Sequence, residues 1–283
     1  MDGVIADPLR CVFDPVAAAC RNGESEACLS PAQVATARKI YERPRDAAGV
    51  WLTPGGPLPG SELSWEGVFL PKAGFDFIFG RLIAGGAIAH LAFAPGEDRN
   101  FKLEDLGFKR ATYEKLLPQH SLYDATNPDI AAYARHGGKL ILWHGAWDPH
   151  ISPTNSISYA EAVQATLDEG AADAALRFFL IPGLCHCEGG IGPVHTDVLS
   201  AVIAWVEQGK APEALLMRDA KGARPVYPYP ALAAYDGNGD PANPASSRRK
   251  PRSNGFTCAP GSDLSCFKRN NSLFAKTGNR RDV

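Results

Sequence analysis

"NPDIAAYARHGGKLILWHGAWDPHISPTNSISYAEAVQATLDEG", residues 127–170, places one short apolar run between two segments that carry helix start and stop signals. Asn127-Pro128 opens a helix and Gly137-Gly138 stops it. "KLILWHG" is apolar enough for a buried strand. Ser152 is placed to cap a helix over residues 153–169, with Pro153 at its first position. Further along, "ALRFFLIPG" (175–183) repeats the buried-strand pattern. "HTDVLSAVIAWVEQG" (195–209) reads as an amphipathic helix ended by Gly209. The order helix–strand–helix–strand–helix predicts an α/β fold in which helices cover a parallel sheet.

Upstream, "SPAQVATARKIYERP" (30–44) reads as a helix with Ser30 as cap, Pro31 at the first helical position and Pro44 as its end. The prolines and glycines of "WLTPGGPLPGSELSWEG" exclude regular structure over most of that stretch. From Val68 to about Gln119 aromatic residues recur without a clean period, which suits an irregular cap over a site or a plain surface subdomain. Beyond Arg224 the chain is Pro-rich ("RPVYPYP") and then polar. Residues 246–283 carry nine Lys or Arg against two Asp, the composition of a solvated, largely disordered tail. Three parts are therefore expected: 1–125, 126–235 and 236–283. "DGNGD" (236–240) starts like a calcium loop. Pro241 stands where that loop needs glycine and Ser247 where it needs a bidentate Glu, so a tight turn is the better reading.

The chain has 283 residues, 21% charged and 45% hydrophobic, with a net charge of −2. Nothing in that balance points to nucleic acid, and no apolar stretch approaches the length needed to cross a bilayer. The N-terminal "MDGVIADPLRC" lacks the basic segment and apolar core of a signal peptide. Yet there are seven cysteines, and Cys11, Cys20 and Cys28 cluster near the start as in a disulfide framework. A cysteine pattern of the oxidising compartments without an export signal, and an odd cysteine count, lead us to expect that the natural N-terminus lies upstream of Met1.

Two loops follow the two buried strands. The first, "HGAWDPHISP", puts Asp148 just past the strand end; the second, "PGLCHCEGG", holds His186. Ligands and catalysis gather at the carboxyl ends of strands in open α/β sheets. An acid followed by a histidine is the chain order of an α/β-hydrolase, whose nucleophilic serine comes earlier. A neutral imidazole must take the serine proton, and a carboxylate fixes its tautomer and stabilises the cation. An Asp before proline can also be a simple turn former, and a loop histidine can be structural. Strand, loop, spacing and partner together favour the acid–base pair. His144, His150 and His195 read as structural or surface histidines. Zinc on Cys185-His186-Cys187 is disfavoured, because zinc ligands are normally spaced by two or more residues.

From Asp2 to about Asp240 the chain resembles the tannase and feruloyl esterase family. The resemblance rests on "DGVIADPLRCVFDP", "CLSPAQVATARKIY", "GGKLILWHGAWDP", "IPGLCHCEGG" and "WVEQGKAPEALL" followed by "RPVYPYP". It implies a secreted or periplasmic α/β-hydrolase with a large inserted lid, cleaving carboxylic esters of phenolic acids such as ferulate or gallate through a Ser-Asp-His triad. Asp148 matches the acid and His186 the base. Cys187 matches a cysteine bridged to one beside the serine, and Cys185 stands where the family usually has glycine. Cys20 and Cys28 match a family disulfide, and the residues between them are short, polar and turn-like. Cys11 matches a cysteine whose partner lies upstream.

The family's Gly-Cys-Ser-x-Gly-Gly elbow has no counterpart: the sequence contains neither Cys-Ser nor Gly-x-Ser-x-Gly. The expected chain is therefore the C-terminal part of an α/β-hydrolase fold, with 1–125 belonging to the lid, 126–235 to the core and 236–283 to the tail. The resemblance also implies a structural lid Ca2+. Asp2 and Val4 match its last carboxylate and last backbone carbonyl ligand. Calcium takes about six to eight oxygens, so these two residues are read as a remnant of an incomplete site. Tyr227 replaces a family cysteine that would bridge to Cys258, so that bridge cannot form; a Cys258–Cys266 pair is one option, and the pairing of Cys185, Cys258 and Cys266 stays open. The activity implied is serine ester hydrolysis on a small phenolic substrate, without nucleic acid or membrane. The alternative is an inactive fragment or a binding half that needs a separate N-terminal partner.

Overall fold

The computed structural model of the chain describes residues 3–252, apart from positions 22, 24, 26, 76, 94–99, 108 and 221. Helix α1 (Pro31–Tyr41) begins as the sequence dictates. Ser30 Oγ accepts from the Gln33 N–H, and the Ser30 N–H donates to Gln33 Oε1, a reciprocal capping box. Val34 and Ala37 on its inner face pack with Leu29 around Trp65, which is fully buried. The Cys20–Cys28 disulfide ties the loop before α1; closing so short a loop contributes about 2–3 kcal/mol.

Residues 68–119, in which no clean period is readable from the sequence, contain α2 (Phe79–His90) and α3 (Arg110–Leu116), with α4 (His120–Tyr123) just beyond. Gly85 and Gly86 in the middle of α2 weaken its helix propensity. Apolar residues on several of its sides blur the period. The helix expected from Asn127-Pro128 is shorter: Asn127 and Asp129 make side-chain turns with the N–H groups two residues on, and α5 runs only Ala131–Arg135.

Strand β1 (Leu140–Gly145) is followed by α6 (Pro153–Thr166), capped by Ser152. The chain goes extended at Leu167 and restarts at Asp168, whose carboxylate accepts from the Ala171 N–H, as α7 (Glu169–Ala175). The single helix expected over 153–169 is thus two. Strand β2 (Leu176–Ile181) pairs in parallel with β1, Leu140 opposite Leu176 and Gly145 opposite Ile181. Among the described residues the other edge of β1 has no strand. Helix α8 (Val198–Gln208) ends at Gly209, whose φ of 67° is the left-handed stop that glycine supplies.

β2 alternates between two cores. Leu176, Phe178 and Leu180 face Ile157, Ala160 and Val163 of α6. Phe179 and Ile181 face Leu215 and Met217 of β3 (Leu215–Asp219) and Val226 of β4 (Gly222–Val226), an antiparallel hairpin. Each large side chain so buried contributes about 1.5–3 kcal/mol. The expected order of strands and covering helices is therefore observed, with the hairpin added.

The tail expectation needs correcting over its first residues. β5 (Leu232–Tyr235) pairs antiparallel with β6 (Ser247–Lys250), and Arg252 Nε donates to Asp7 Oδ2 at 3.0 Å. A strand reading "SRRK" has no apolar pattern to announce it, but charged side chains are usual on an exposed edge. Asp2, Cys258 and Cys266 lie outside the described residues.

Candidate active site

β1 and β2 end level with each other, so their loops leave the sheet side by side. The Ala146 N–H donates to Ile181 O at 2.8 Å and the Trp147 N–H to Leu184 O at 3.0 Å, stitching the two loops together. Gly145 permits this approach: a Cβ there would lie 2.1 Å from Cys185 O. The N-terminal region closes on the same place. Gly60, at φ 101°, packs under the Trp147 indole, Ser152 Oγ donates to Gly56 O at 2.7 Å, and Ser64 Oγ lies 2.7 Å from Cys185 Sγ.

Asp148 is 3% exposed, and four donors meet its carboxylate. Oδ1 accepts from the backbone N–H groups of His150 and Ile151 at 2.8 and 3.0 Å. Oδ2 accepts from His186 Nδ1 at 2.7 Å and from His144 Nε2 at 3.1 Å. Burial pushes the carboxyl pKa up. The bonds from His144, His186 and the two backbone N–H groups outweigh it and hold the pKa at about 2. Asp148 is therefore an anion at neutral pH and can only accept. Hence His186 carries its proton on Nδ1 and presents the Nε2 lone pair outward from a ring that is 44% exposed.

The loop that holds His186 is a tight turn. Leu184 and Gly190 form a bridge, the Glu188 N–H donates to His186 O, and Cys187 sits at φ 60°, a left-handed conformation that costs an L-residue about 1–2 kcal/mol. Cys187 is exposed; Cys185 is buried, and burial pushes its thiol pKa up. Among the described residues no group of three or more His, Cys, Asp or Glu is placed to share a metal ion. Of the two residues read as a calcium remnant, Val4 packs near Gly183, its Cγ1 3.2 Å from where a Gly183 Cβ would be, and Asp2 lies outside the described residues. No step below passes through calcium.

Two of the three histidines set aside in the sequence belong to the site. The His150 ring lies 4.8 Å from that of His186 and 5.3 Å, edge-on, from Phe79 of α2. Burial, then the neighbouring His186, lower its pKa, against the pull of Asp148. His144 bonds Asp148 directly. Both lie within four residues of the acid in sequence, and that proximity was the available signal. His195 is elsewhere, its backbone paired with Arg218. Along α2, a cleft of about 650 Å³ is lined by Phe75, Phe77, Ile78, Arg81, Leu82 and the Gly85–Gly86 pair. Arg81 is ion-paired with Glu104.

A buried carboxylate that orients a histidine, on loops leaving two adjacent parallel strands at one end, is an arrangement that α/β-hydrolase sheets use. The chain belongs to the tannase and feruloyl esterase family, which it matches over residues 1–249. It is 29% identical over 282 residues to mono(2-hydroxyethyl) terephthalate hydrolase of Piscinibacter sakaiensis, covering 84% of this chain and 46% of that protein. A probable feruloyl esterase of Arthroderma benhamiae is 30% identical over 261 residues, covering 83% and 46%. The crystal structure of feruloyl esterase B from Aspergillus oryzae superposes with a TM-score of 0.68 at 25% identity, covering 88% of this chain and 53% of that one. The sheet and its helices are thus part of an α/β-hydrolase fold. The chain spans about half the length of the relatives it matches.

Proposed function

We propose that this chain carries the acid and base of a serine carboxylic ester hydrolase acting on phenolic esters of the feruloyl or galloyl kind. The observation that carries the proposal is the 2.7 Å bond from His186 Nδ1 to the buried Asp148 anion, which leaves Nε2 free to accept a proton. In the first step His186 Nε2 takes the proton of the attacking hydroxyl as the oxygen adds to the ester carbonyl, and Asp148 stabilises the imidazolium. The same proton then passes to the leaving alkoxide, giving the free alcohol and an acyl-enzyme. Water, deprotonated at Nε2, cleaves the acyl-enzyme and releases the phenolic acid. The names of the relatives support an ester as the bond cleaved, and the disulfide fits an oxidising compartment.

The 283 residues hold no nucleophile elbow, so we assign the serine and the oxyanion donors to a part of the fold supplied from outside them. The chain by itself is then expected to be inactive on methyl ferulate and methyl gallate. Removing a single oxyanion donor already costs about 3–4 kcal/mol of transition-state stabilisation. The test is hydrolysis by the purified chain, alone and mixed with the N-terminal half of a family relative. Activity only in the mixture, lost on His186→Ala, is the expected result. Turnover by the chain alone that His186→Ala abolishes would put a nucleophile inside these residues. A mixture that assembles but stays silent would favour a binding or inactive role.

A further inference from the structure

We propose that His144, set by Ser156, is a positioning residue for the acid–base pair, an inference that rests on the roles given above to Asp148 and His186. His144 is the penultimate residue of β1, and its side chain is only 11% exposed. Nε2 lies 3.1 Å from Asp148 Oδ2 and 3.1 Å from the carbonyl oxygen of Ile151. Nδ1 lies 2.7 Å from Ser156 Oγ. An ionised carboxylate and a carbonyl oxygen can only accept, so Nε2 must carry the proton and share it between them. In the neutral ring Nδ1 is then an acceptor, and the Ser156 hydroxyl must be its donor. The tautomer of His144 is therefore fixed opposite to that of His186: one ring donates to Asp148 from Nε2, the other from Nδ1.

The consequence is directional. Ser156 stands on the first turns of α6, a helix held in the core by Ile157, Ala160 and Val163. Its place is set by packing rather than by the site. The relay runs from that helix through the Ser156 hydroxyl and the His144 ring to Oδ2, the oxygen that also holds His186. The backbone N–H groups of His150 and Ile151 pin Oδ1. Without His144, Oδ2 has a single side-chain donor, and the carboxylate can turn until the loop N–H groups alone direct it. Asp148 would then hold His186 Nδ1 less well, and the imidazole would sample the tautomer whose Nε2 is protonated and useless as a base. Both ring nitrogens of His144 are taken by Ser156, Asp148 and Ile151 O, and its side chain is only 11% exposed, so it acts through Asp148 rather than on substrate.

The test reads the rings and not the reaction. Histidine-selective 15N labelling of the chain at neutral pH should show His186 protonated at Nδ1, with a downfield Nδ1 proton protected from exchange, and His144 protonated at Nε2. In His144→Phe, checked for folding by its thermal transition, the His186 downfield proton should be lost and its nitrogen shifts should move to those of a tautomer mixture. His144→Gln, whose side-chain amide can donate to Oδ2 and accept from Ser156, should restore them. If His144→Phe does not fold, Ser156→Ala carries the test: His144 should lose its fixed tautomer and the His186 proton should exchange faster. A folded variant with an unchanged His186 tautomer overturns the proposal, as does His144 found protonated at Nδ1 in the parent. Failure of the esterase roles would appear instead as complemented activity that survives His186→Ala while these ring signals stay as described.

Discussion

The loops after β1 and β2 carry Asp148 and His186, the α2 segment meets them through Phe79 against His150, and the two regions are built in opposite ways. In the loops every polar atom that directs the chemistry is fixed: Asp148 takes four hydrogen bonds, and the two loops bond each other through backbone groups. Around α2 the surface is apolar and open. Phe75, Phe77, Phe79, Leu82 and Ile83 are exposed, and Ile88 is the helix's one buried residue. Charge placement for a proton transfer tolerates little displacement, whereas an aromatic acyl group needs apolar area and room. On the proposed reading, a rigid polar pair and an open apolar wall would serve those two demands separately.

The largest effect expected from this contrast is on Asp148. Asp148→Asn keeps the shape but offers an N–H where His144 and His186 need an acceptor, so the His186 tautomer reverses. In the complemented enzyme we expect kcat to fall about ten-thousand-fold with KM little changed. The same substitution has a pH signature in the chain alone. The Asp148 carboxyl is depressed from 3.8 to about 2 by its four donors, burial opposing. A depressed carboxyl contributes stability that is fully present above its unfolded value and is lost as pH falls through the folded one. The parent should therefore lose stability between about pH 4 and pH 2 more steeply than Asp148→Asn does. Matching acid-unfolding curves for the two would mean that the carboxylate's bonds are not made in solution.

Breaking the other side of the comparison should change binding and spare both chemistry and stability. Phe77 and Leu82 line the cleft and are exposed, so Phe77→Ser and Leu82→Ser remove apolar contact area that no core depends on. We expect KM for methyl ferulate to rise about tenfold in the complemented enzyme, with kcat held within a factor of about two. Unfolding free energy should move by less than about 0.5 kcal/mol. A large drop in kcat from either variant would mean that α2 also orients the reacting carbonyl, and the division between the two regions would fail.

The same division decides what the sequence discloses. β1, β2, α1 and α8 announce themselves because their signals are local: an apolar run, a Ser30 cap followed by Pro31, a Gly209 stop. The meeting of Asp148 and His186 was legible because adjacent strand ends are fixed addresses for side chains. Elements that depend on distant partners were not. β4 contains Pro225, which no strand pattern favours, yet it pairs opposite Leu216 against the buried face of β2. α7 is separated from α6 only by the extended Leu167 and the Asp168 cap. His144 reads as structural because its contact with Ser156, twelve residues away, is one that nothing in a one-dimensional pattern announces.

The smallest expected effect sharpens the contrast most closely, because one substitution should move the two properties of α2 in opposite directions. Gly86 lies inside the helix, outside the left-handed φ region, and a Cβ built there meets no atom within 4 Å. Glycine in a helix interior is about 1 kcal/mol less favourable than alanine, since it leaves more backbone freedom to be lost on folding. Gly86→Ala should therefore stabilise the chain by about 0.5–1 kcal/mol, read as a rise in the urea midpoint at constant slope. Gly86 also lines the cleft, so the added methyl group takes up room there. A feruloyl ester should lose affinity by a few-fold at most, since one methyl group of crowding amounts to about 1 kcal/mol. A smaller ester such as methyl acetate should not notice. If the variant is less stable than the parent, Gly86 is held by a contact that the open surface of α2 does not have. If it is more stable and binds both esters unchanged, the cleft along α2 is not where the acyl group sits.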